Sequence, residues 1–290
     1  MDERWIDVRT ADGVRLRART MLSAGPGAPG LLLHHGLASS QRVWDLMLPR
    51  LARRFRVVTY DARGHGLSSK PSSGYGFDRT VSDALAVMRA AGLRRPVVAG
   101  HSWGAMVALE LAATYPRSVS GAYLIDGGVG ALGGEMTWQQ VKERLAPPHL
   151  AGMQVEEFRG MIRTFWASAL QVTPDVERIV LSLMRVAPDG TIRPHLRRAN
   201  HFKILRAIWE QDPLALHARL TVPASALLAY QGGDPDAAAW EDRKRASAAA
   251  IRASGAPTKI TWLQGIHDLP LQQPDGVAGR LERFARTAVR

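Results

Sequence analysis

Val97 to Gly104 reads Val-Val-Ala-Gly-His-Ser-Trp-Gly. A short apolar run meets Gly100-His101-Ser102-Trp103-Gly104, and a helical pattern from Ala105 to Tyr115 follows, stopped by Pro116. Strand, sharp turn, helix is the setting in which a Gly-X-Ser-X-Gly segment does nucleophilic chemistry. Such a turn strains its middle residue and pushes Ser102 out at the carboxyl end of a sheet. Gly100 and Gly104 flank it because a side chain at either would collide with the adjoining strand and helix. The first amides of the helix, from Trp103, point at whatever Ser102 attacks, and their dipoles favour negative charge there. A serine hydroxyl is a weak nucleophile at neutral pH, so a base is needed beside it.

The elements around this turn alternate. Arg4 to Val8 and Val14 to Thr20 flank Ala11-Asp12-Gly13, a hairpin signal. Leu31 to His34 reads as a buried strand ending in His35-Gly36-Leu37, and Val43 to Ala52 as helix. Arg56 to Tyr60 is the next strand, running into the Gly-rich loop Asp61 to Ser68. Thr80 to Ala91 carries Val81, Leu85, Met88 and Ala91 at helical spacing, with Gly92 at the stop. Val119 to Ile125 is a further strand, ending in Asp126-Gly127-Gly128. This alternation predicts an α/β fold with a mostly parallel sheet covered by helices on both faces.

The alternation breaks at Val129. From there to about Leu220 the pattern is helical and amphipathic, broken at Pro147-Pro148, Pro174, Pro188-Asp189-Gly190 and Pro213. Residues 129–220 therefore read as an inserted helical cap, and residues 1–128 with 221–290 as the core. Pro223 to Tyr230 resumes the sheet, Asp236 to Ser254 is an Ala-rich helix, and Lys259 to Leu263 is the last strand. A loop at Gly265-Ile266-His267 leads to a closing helix, Pro274 to Arg290.

Composition narrows the function classes. The 290 residues are 46% hydrophobic and 22% charged, the balance of an ordinary globular protein. There is no cysteine, which excludes disulfides, thiolate metal sites and a cysteine nucleophile and fits a cytoplasmic location. The first residues show no apolar segment of a signal peptide, and no run is long enough to span a membrane. The net charge is +12, but the 33 Arg and 5 Lys are scattered in ones and twos. A nucleic-acid face would cluster them and interleave aromatics, so no nucleic-acid partner is expected.

Four motifs in order carry a resemblance to the α/β-hydrolase superfamily, over the whole chain. They are His35-Gly36, Asp61-X-Arg63-Gly64-X-Gly66-X-Ser68, the turn at Ser102, and His267 after the last strand. The resemblance implies a serine hydrolase acting on a carboxylic ester, lactone or related acyl substrate, with no cofactor and no metal. Ser102 is then the nucleophile and His267 the base. The acid falls at Asp234, in Gln231-Gly232-Gly233-Asp234-Pro235, or at Asp126, where a minority of the superfamily carries it. Asp234 is the favoured position, Asp126 the alternative, and Asp236 looks like a helix cap. The Leu37 and Trp103 amides are the implied oxyanion donors, and the Asp61 to Ser68 loop a structural brace. His101 is expected to point away and pack.

The cap sits over the turn, so Trp138, Phe165, Trp166 and Trp209 are candidates for the roof of a pocket taking an apolar acyl group. Trp103 after the nucleophile also resembles haloalkane dehalogenases and epoxide hydrolases. Those use an aspartate nucleophile, whose ester water can cleave; serine attack at saturated carbon would give an inert ether. None of the five tyrosines lies in the cap, where epoxide opening would need them. Two further readings stay open: perhydrolase or C–C bond hydrolase chemistry on the same triad, and a small-molecule receptor of this fold with little turnover.

Overall fold

The structure, a computed structural model, describes residues 2–25, 27–166, 169–232 and 235–289, with backbone alone at 166 and 235–237. The chain opens with a hairpin, β1 (Glu3–Arg9) and β2 (Arg15–Met21), paired antiparallel. β3 (Gly30–His34), α1 (Leu48–Leu51), β4 (Arg56–Tyr60), α2 (Phe77–Ala90), β5 (Val97–His101), α3 (Trp103–Thr114) and β6 (Gly121–Ile125) follow. Next come α4 (Trp138–Arg144), α5 (Val155–Trp166), α6 (Pro174–Leu181), β7 (Met184–Val186), β8 (Ile192–Pro194), α7 (Arg198–Glu210) and α8 (Pro213–Ala218). β9 (Ala224–Tyr230), α9 (Pro235–Ala253), β10 (Thr258–Gln264), α10 (Leu269–Gln272) and α11 (Pro274–Ala288) close the chain.

Eight strands form one sheet in the order β1-β2-β4-β3-β5-β6-β9-β10. From β4 through β10 all neighbours are parallel, and β2 joins β4 antiparallel. The central strands are apolar along their length because both faces are covered. Leu32, Val98, Leu124 and Leu228 pack under α2 and α3, and Leu33, Ala99, Ile125 and Ala229 pack toward α11. Each of the Leu, Val and Ile side chains among these, fully buried, contributes about 1.5–3 kcal/mol. Among the described residues no helix is long and apolar enough to cross a membrane.

Two expectations change in detail. The helix expected over 43–52 is a 3-10 turn at Gln41–Trp44 and the single-turn α1. Pro49 has no N–H to give to the preceding turn, so the helix restarts there. The segment between β6 and β9 is not wholly helical, since β7 and β8 form a small antiparallel hairpin over Pro188-Asp189-Gly190. Three residues per strand are too few for alternation to be read in the sequence. The last turn of that segment, α8, packs against α3 and α9, and its His217 bonds the Gly128 carbonyl and Thr258 Oγ1, both at 2.8 Å.

The Asp61 to Ser68 loop ties the front of the sheet together. Asp61 accepts from the Gln41 and Leu67 amides, both at 2.9 Å, and the Ser68 hydroxyl donates to the Asp61 carbonyl at 2.5 Å. Arg63 is buried and donates twice to Asp83, each bond 2.7 Å, and to Asp12 Oδ2 at 3.0 Å. Arg63→Ala leaves the buried Asp83 charge without its partner, a defect that costs about 3–5 kcal/mol. Urea unfolding is expected to show that loss; a change below about 1 kcal/mol, the scale of a surface pair, contradicts a bracing role.

Candidate active site

Ser102 lies between β5 and α3 with φ +56° and ψ −120°, a conformation that non-glycine residues rarely adopt. Close packing enforces it: a Cβ on Gly100 would overlap the Gly104 carbonyl, and one on Gly104 would overlap the His34 carbonyl. The Ser102 N–H continues the ladder by donating to the Ile125 carbonyl at 2.9 Å. His101 of β5 is in register with Ile125 of β6, so Asp126 leaves the sheet beside Ser102. Asp126 also has positive φ, at +44°.

His267 arrives from β10, two strands away from β6. The Gly265 N–H donates to the Tyr230 carbonyl at 2.8 Å, folding the loop back over the end of β9. This brings His267 Nδ1 to 2.6 Å from Asp126 Oδ2. A carboxylate only accepts, so Nδ1 carries the proton and the neutral ring presents its lone pair on Nε2. The His267 side chain is about half exposed, while that of Asp126 is fully buried.

Burial alone would raise the Asp126 carboxyl. The His267 bond and charge, together with Lys244, outweigh it and hold the group at about 2. Burial likewise opposes charge on His267, and the Asp126 contact overcomes it, raising the imidazole above its ordinary value. The His267–Asp126 pair therefore stabilises the fold fully below the unfolded imidazole value, and that stability fades as pH rises through the raised midpoint.

The acid position corrects the sequence reading. The carboxylate that receives His267 is Asp126, the alternative; Asp234 lies outside the described residues. His101 also differs from expectation. Its Nε2 donates to the His267 carbonyl at 2.8 Å, and the two rings sit 4.8 Å apart. Burial and the neighbouring His267 push His101 down to about 4, so it is a neutral donor that holds the His267 loop.

Leu37 and Trp103 both border the cavity that Ser102 and His267 line. Among the described residues no protein acceptor takes either amide N–H. The loop carrying Leu37 is fixed by His35, whose Nδ1 donates to the Gly36 carbonyl at 2.8 Å and whose Nε2 accepts from Ala62 N–H at 3.0 Å. The Trp103 ring stacks on His65 at 5.4 Å and meets His34 edge-on at 4.9 Å. Burial keeps His34, His35 and His65 below the ordinary imidazole range, so this support is uncharged at neutral pH.

The cavity measures about 660 Å³. Above the turn it is lined by Leu132, Leu145, Leu205 and Ile208 from the inserted segment and by Trp240 from α9. Among the described residues, Trp138, Phe165 and Trp209, expected in the roof, do not line the cavity. Trp138 and Trp209 pack on each other at 6.1 Å under Arg206, and Trp209 Nε1 donates to the Met136 carbonyl at 2.8 Å. Their apolar faces serve the insertion's own core. Phe165 is 75% exposed. The Trp166 side chain lies outside the described residues.

The chain belongs to the α/β-hydrolase family, whose model, described as alpha/beta hydrolase fold, matches residues 29–173. A curated relative from Mesorhizobium japonicum, 2-(acetamidomethylene)succinate hydrolase, is 36% identical over 98 residues, 34% of this chain and 35% of its own length. The chain spans less than half the length of the curated relatives it matches. The crystal structure of E-2-(acetamidomethylene)succinate hydrolase is similar with a TM-score of 0.76 at 20% identity, covering 98% of this chain and 99% of the other. The enol-lactonase from Burkholderia xenovorans LB400 gives 0.72 at 19% identity, covering 96% and 99%. At these identities the likeness to solved structures is one of fold.

Ring-nitrogen NMR tests the His267 geometry. Above its midpoint His267 is expected as the Nδ1–H tautomer, with that midpoint above 6.5, the ordinary value. Asp126→Asn is expected to lower the midpoint and remove the downfield Nδ1 proton. An Nε2–H tautomer in the wild type, or a midpoint indifferent to Asp126→Asn, contradicts the arrangement.

Proposed function

We propose that the protein is a serine hydrolase that cleaves a carboxylic ester, lactone or related acyl compound through an acyl-enzyme. The observation that carries this reading is the 2.6 Å contact between His267 Nδ1 and the buried Asp126, in a cavity also lined by Ser102. Among the described residues His267 Nε2 has no protein partner, which leaves its lone pair for the Ser102 proton.

In this reading Ser102 Oγ attacks the substrate carbonyl as His267 Nε2 takes its proton. The carbonyl π electrons move to oxygen, and the resulting oxyanion accepts from the Leu37 and Trp103 amides. Asp126 stabilises the imidazolium and keeps the proton on Nδ1. The tetrahedral intermediate collapses, and His267 returns its proton to the leaving oxygen. Water then attacks the acyl-serine by the same proton route, releasing the acid and restoring Ser102. An oxyanion donor is worth about 3–4 kcal/mol in comparable sites.

The cavity supports an apolar acyl group or ring. Its volume of about 660 Å³ lies within the size of small-molecule sites, and Met106, Val129, Leu205 and Ile208 make it largely aliphatic. Residues 129–220 act as the cap that sets substrate shape, while the sheet sets the chemistry. Short p-nitrophenyl esters are suitable probes. Ser102→Ala is expected to fold normally and to lose about a million-fold in kcat, since nucleophile and base act as one unit. A variant keeping more than about one percent of activity, far above the residual of a disabled triad, or tight ester binding without wild-type turnover, contradicts the proposal.

A further inference from the structure

The chain uses arginine for 33 of its 38 basic residues, yet the cation beside Asp126 is a lysine, Lys244. Lys244 lies on α9 and lines the cavity. Its Nζ donates to Asp126 Oδ1 at 2.7 Å and to the Ala229 carbonyl at 2.9 Å. The Ala229 N–H donates to the same Oδ1 at 2.8 Å. The other carboxylate oxygen, Oδ2, accepts from His267. Each oxygen of the buried acid thus has a fixed assignment: Oδ2 to the imidazole, Oδ1 to a peptide N–H and an ammonium.

We propose that Lys244 is a positioning residue, which turns one edge of the Asp126 carboxylate to His267 and supplies a counter-charge that limits how strongly this carboxylate holds His267 in its charged form. The proposal rests on the triad reading given above. With His267 neutral, the charges of Lys244 and Asp126 cancel within the pair. When His267 takes the Ser102 proton, the site gains one positive charge as the oxyanion forms. Without Lys244 the Asp126 carboxylate has no counter-charge at Oδ1, it draws protons to His267 more strongly, and the base is spent at a higher pH. A compact ammonium suits the place, because it can bond Oδ1 and the Ala229 carbonyl together as a point charge.

The other titratable or charged groups near this pair, among the described residues, are known. They are Asp268 beside His267, His101 of β5, His201 of α7, Tyr230 of β9, Glu241 and Arg243 of α9, and Glu135, which pairs with Arg243 at 2.8 Å. They stay in place when Lys244 is replaced, so the change reports the ammonium.

The test compares wild type, Lys244→Met and Lys244→Arg. The His267 midpoint is read by imidazole NMR, and kcat/KM for a short p-nitrophenyl ester is read against pH. Lys244→Met is expected to raise the NMR midpoint and the acid limb of kcat/KM together by about one pH unit, the scale of one nearby partly screened charge. Lys244→Arg, which keeps the charge, is expected to hold the wild-type midpoint. If Lys244 only tethers α9 to the sheet, Lys244→Met lowers thermal stability and leaves both midpoints unchanged, which overturns the proposal. Lys244→Gln provides a second neutral replacement should the Met variant fail to fold. Ser102→Ala run beside them separates the two claims. If it is inactive while the neutral variants leave the midpoint unmoved, the Lys244 role alone falls; if it keeps hydrolysing the ester, the triad reading and this proposal fall together.

Discussion

A carboxylate taken wholly out of water at the end of β6 is the constraint that organises the site. Asp126 is stable there as an anion only because its oxygens receive His267, the Ala229 amide and Lys244. An unpaired charge in such a place would be protonated or would destabilise the fold by several kcal/mol, about 3–5 where one partner is removed. Each partner comes from a different element: the loop after β10, the strand β9, and the helix α9. Meeting at one carboxylate, they fix how the second half of the chain closes on the first.

The same edge of the sheet carries two strained residues side by side, Ser102 at φ +56° and Asp126 at φ +44°. Such conformations cost of order 1–3 kcal/mol each and persist only where the surroundings over-determine them. Here the central parallel strands, buried on both faces, supply that rigidity. Ser102 and Asp126 therefore leave neighbouring strands at the same level. The support behind the Leu37 loop is also rigid but carries little charge. His34, His35, His65 and Trp103 form a packed ring cluster whose imidazoles burial keeps neutral. The buried Asp126 charge instead lies in line with Lys244 and His267.

Much of this was legible in the residues, and the failures are physically instructive. The hairpin, the alternating elements and the turn at Ser102 were readable because each has a local signature: a turn residue, a period, or a flanking glycine. The acid was harder. Asp126 and Asp234 both follow sheet strands, and choosing between them requires knowing where the loop after β10 lands. That is decided by the Gly265 bond to Tyr230, a long-range contact with no local pattern. His101 was read as packing because a buried histidine is usually that. Its bond to the His267 carbonyl joins residues 166 positions apart. The cap aromatics misled for a related reason: helical periodicity shows that Trp138 and Trp209 are buried but not against what. They pack half-buried against each other, and Leu132, Leu145, Leu205 and Ile208 meet the cavity instead, with Trp240 of α9. Lys244 carried no signal at all, being one cation in an Ala-rich helix.

The central claim is that Ser102 is made nucleophilic by His267, and that Asp126 makes His267 able to do it. Reaction with a fluorophosphonate tests this without knowledge of the natural substrate, because the reagent phosphonylates an activated serine in a form that mass spectrometry can locate. The account predicts a single adduct on Ser102, formed about a thousandfold or more slowly in Asp126→Asn, since losing the acid of such a triad costs about four orders of magnitude in turnover. An adduct on another residue, or equal rates in the wild type and Asp126→Asn, would contradict it.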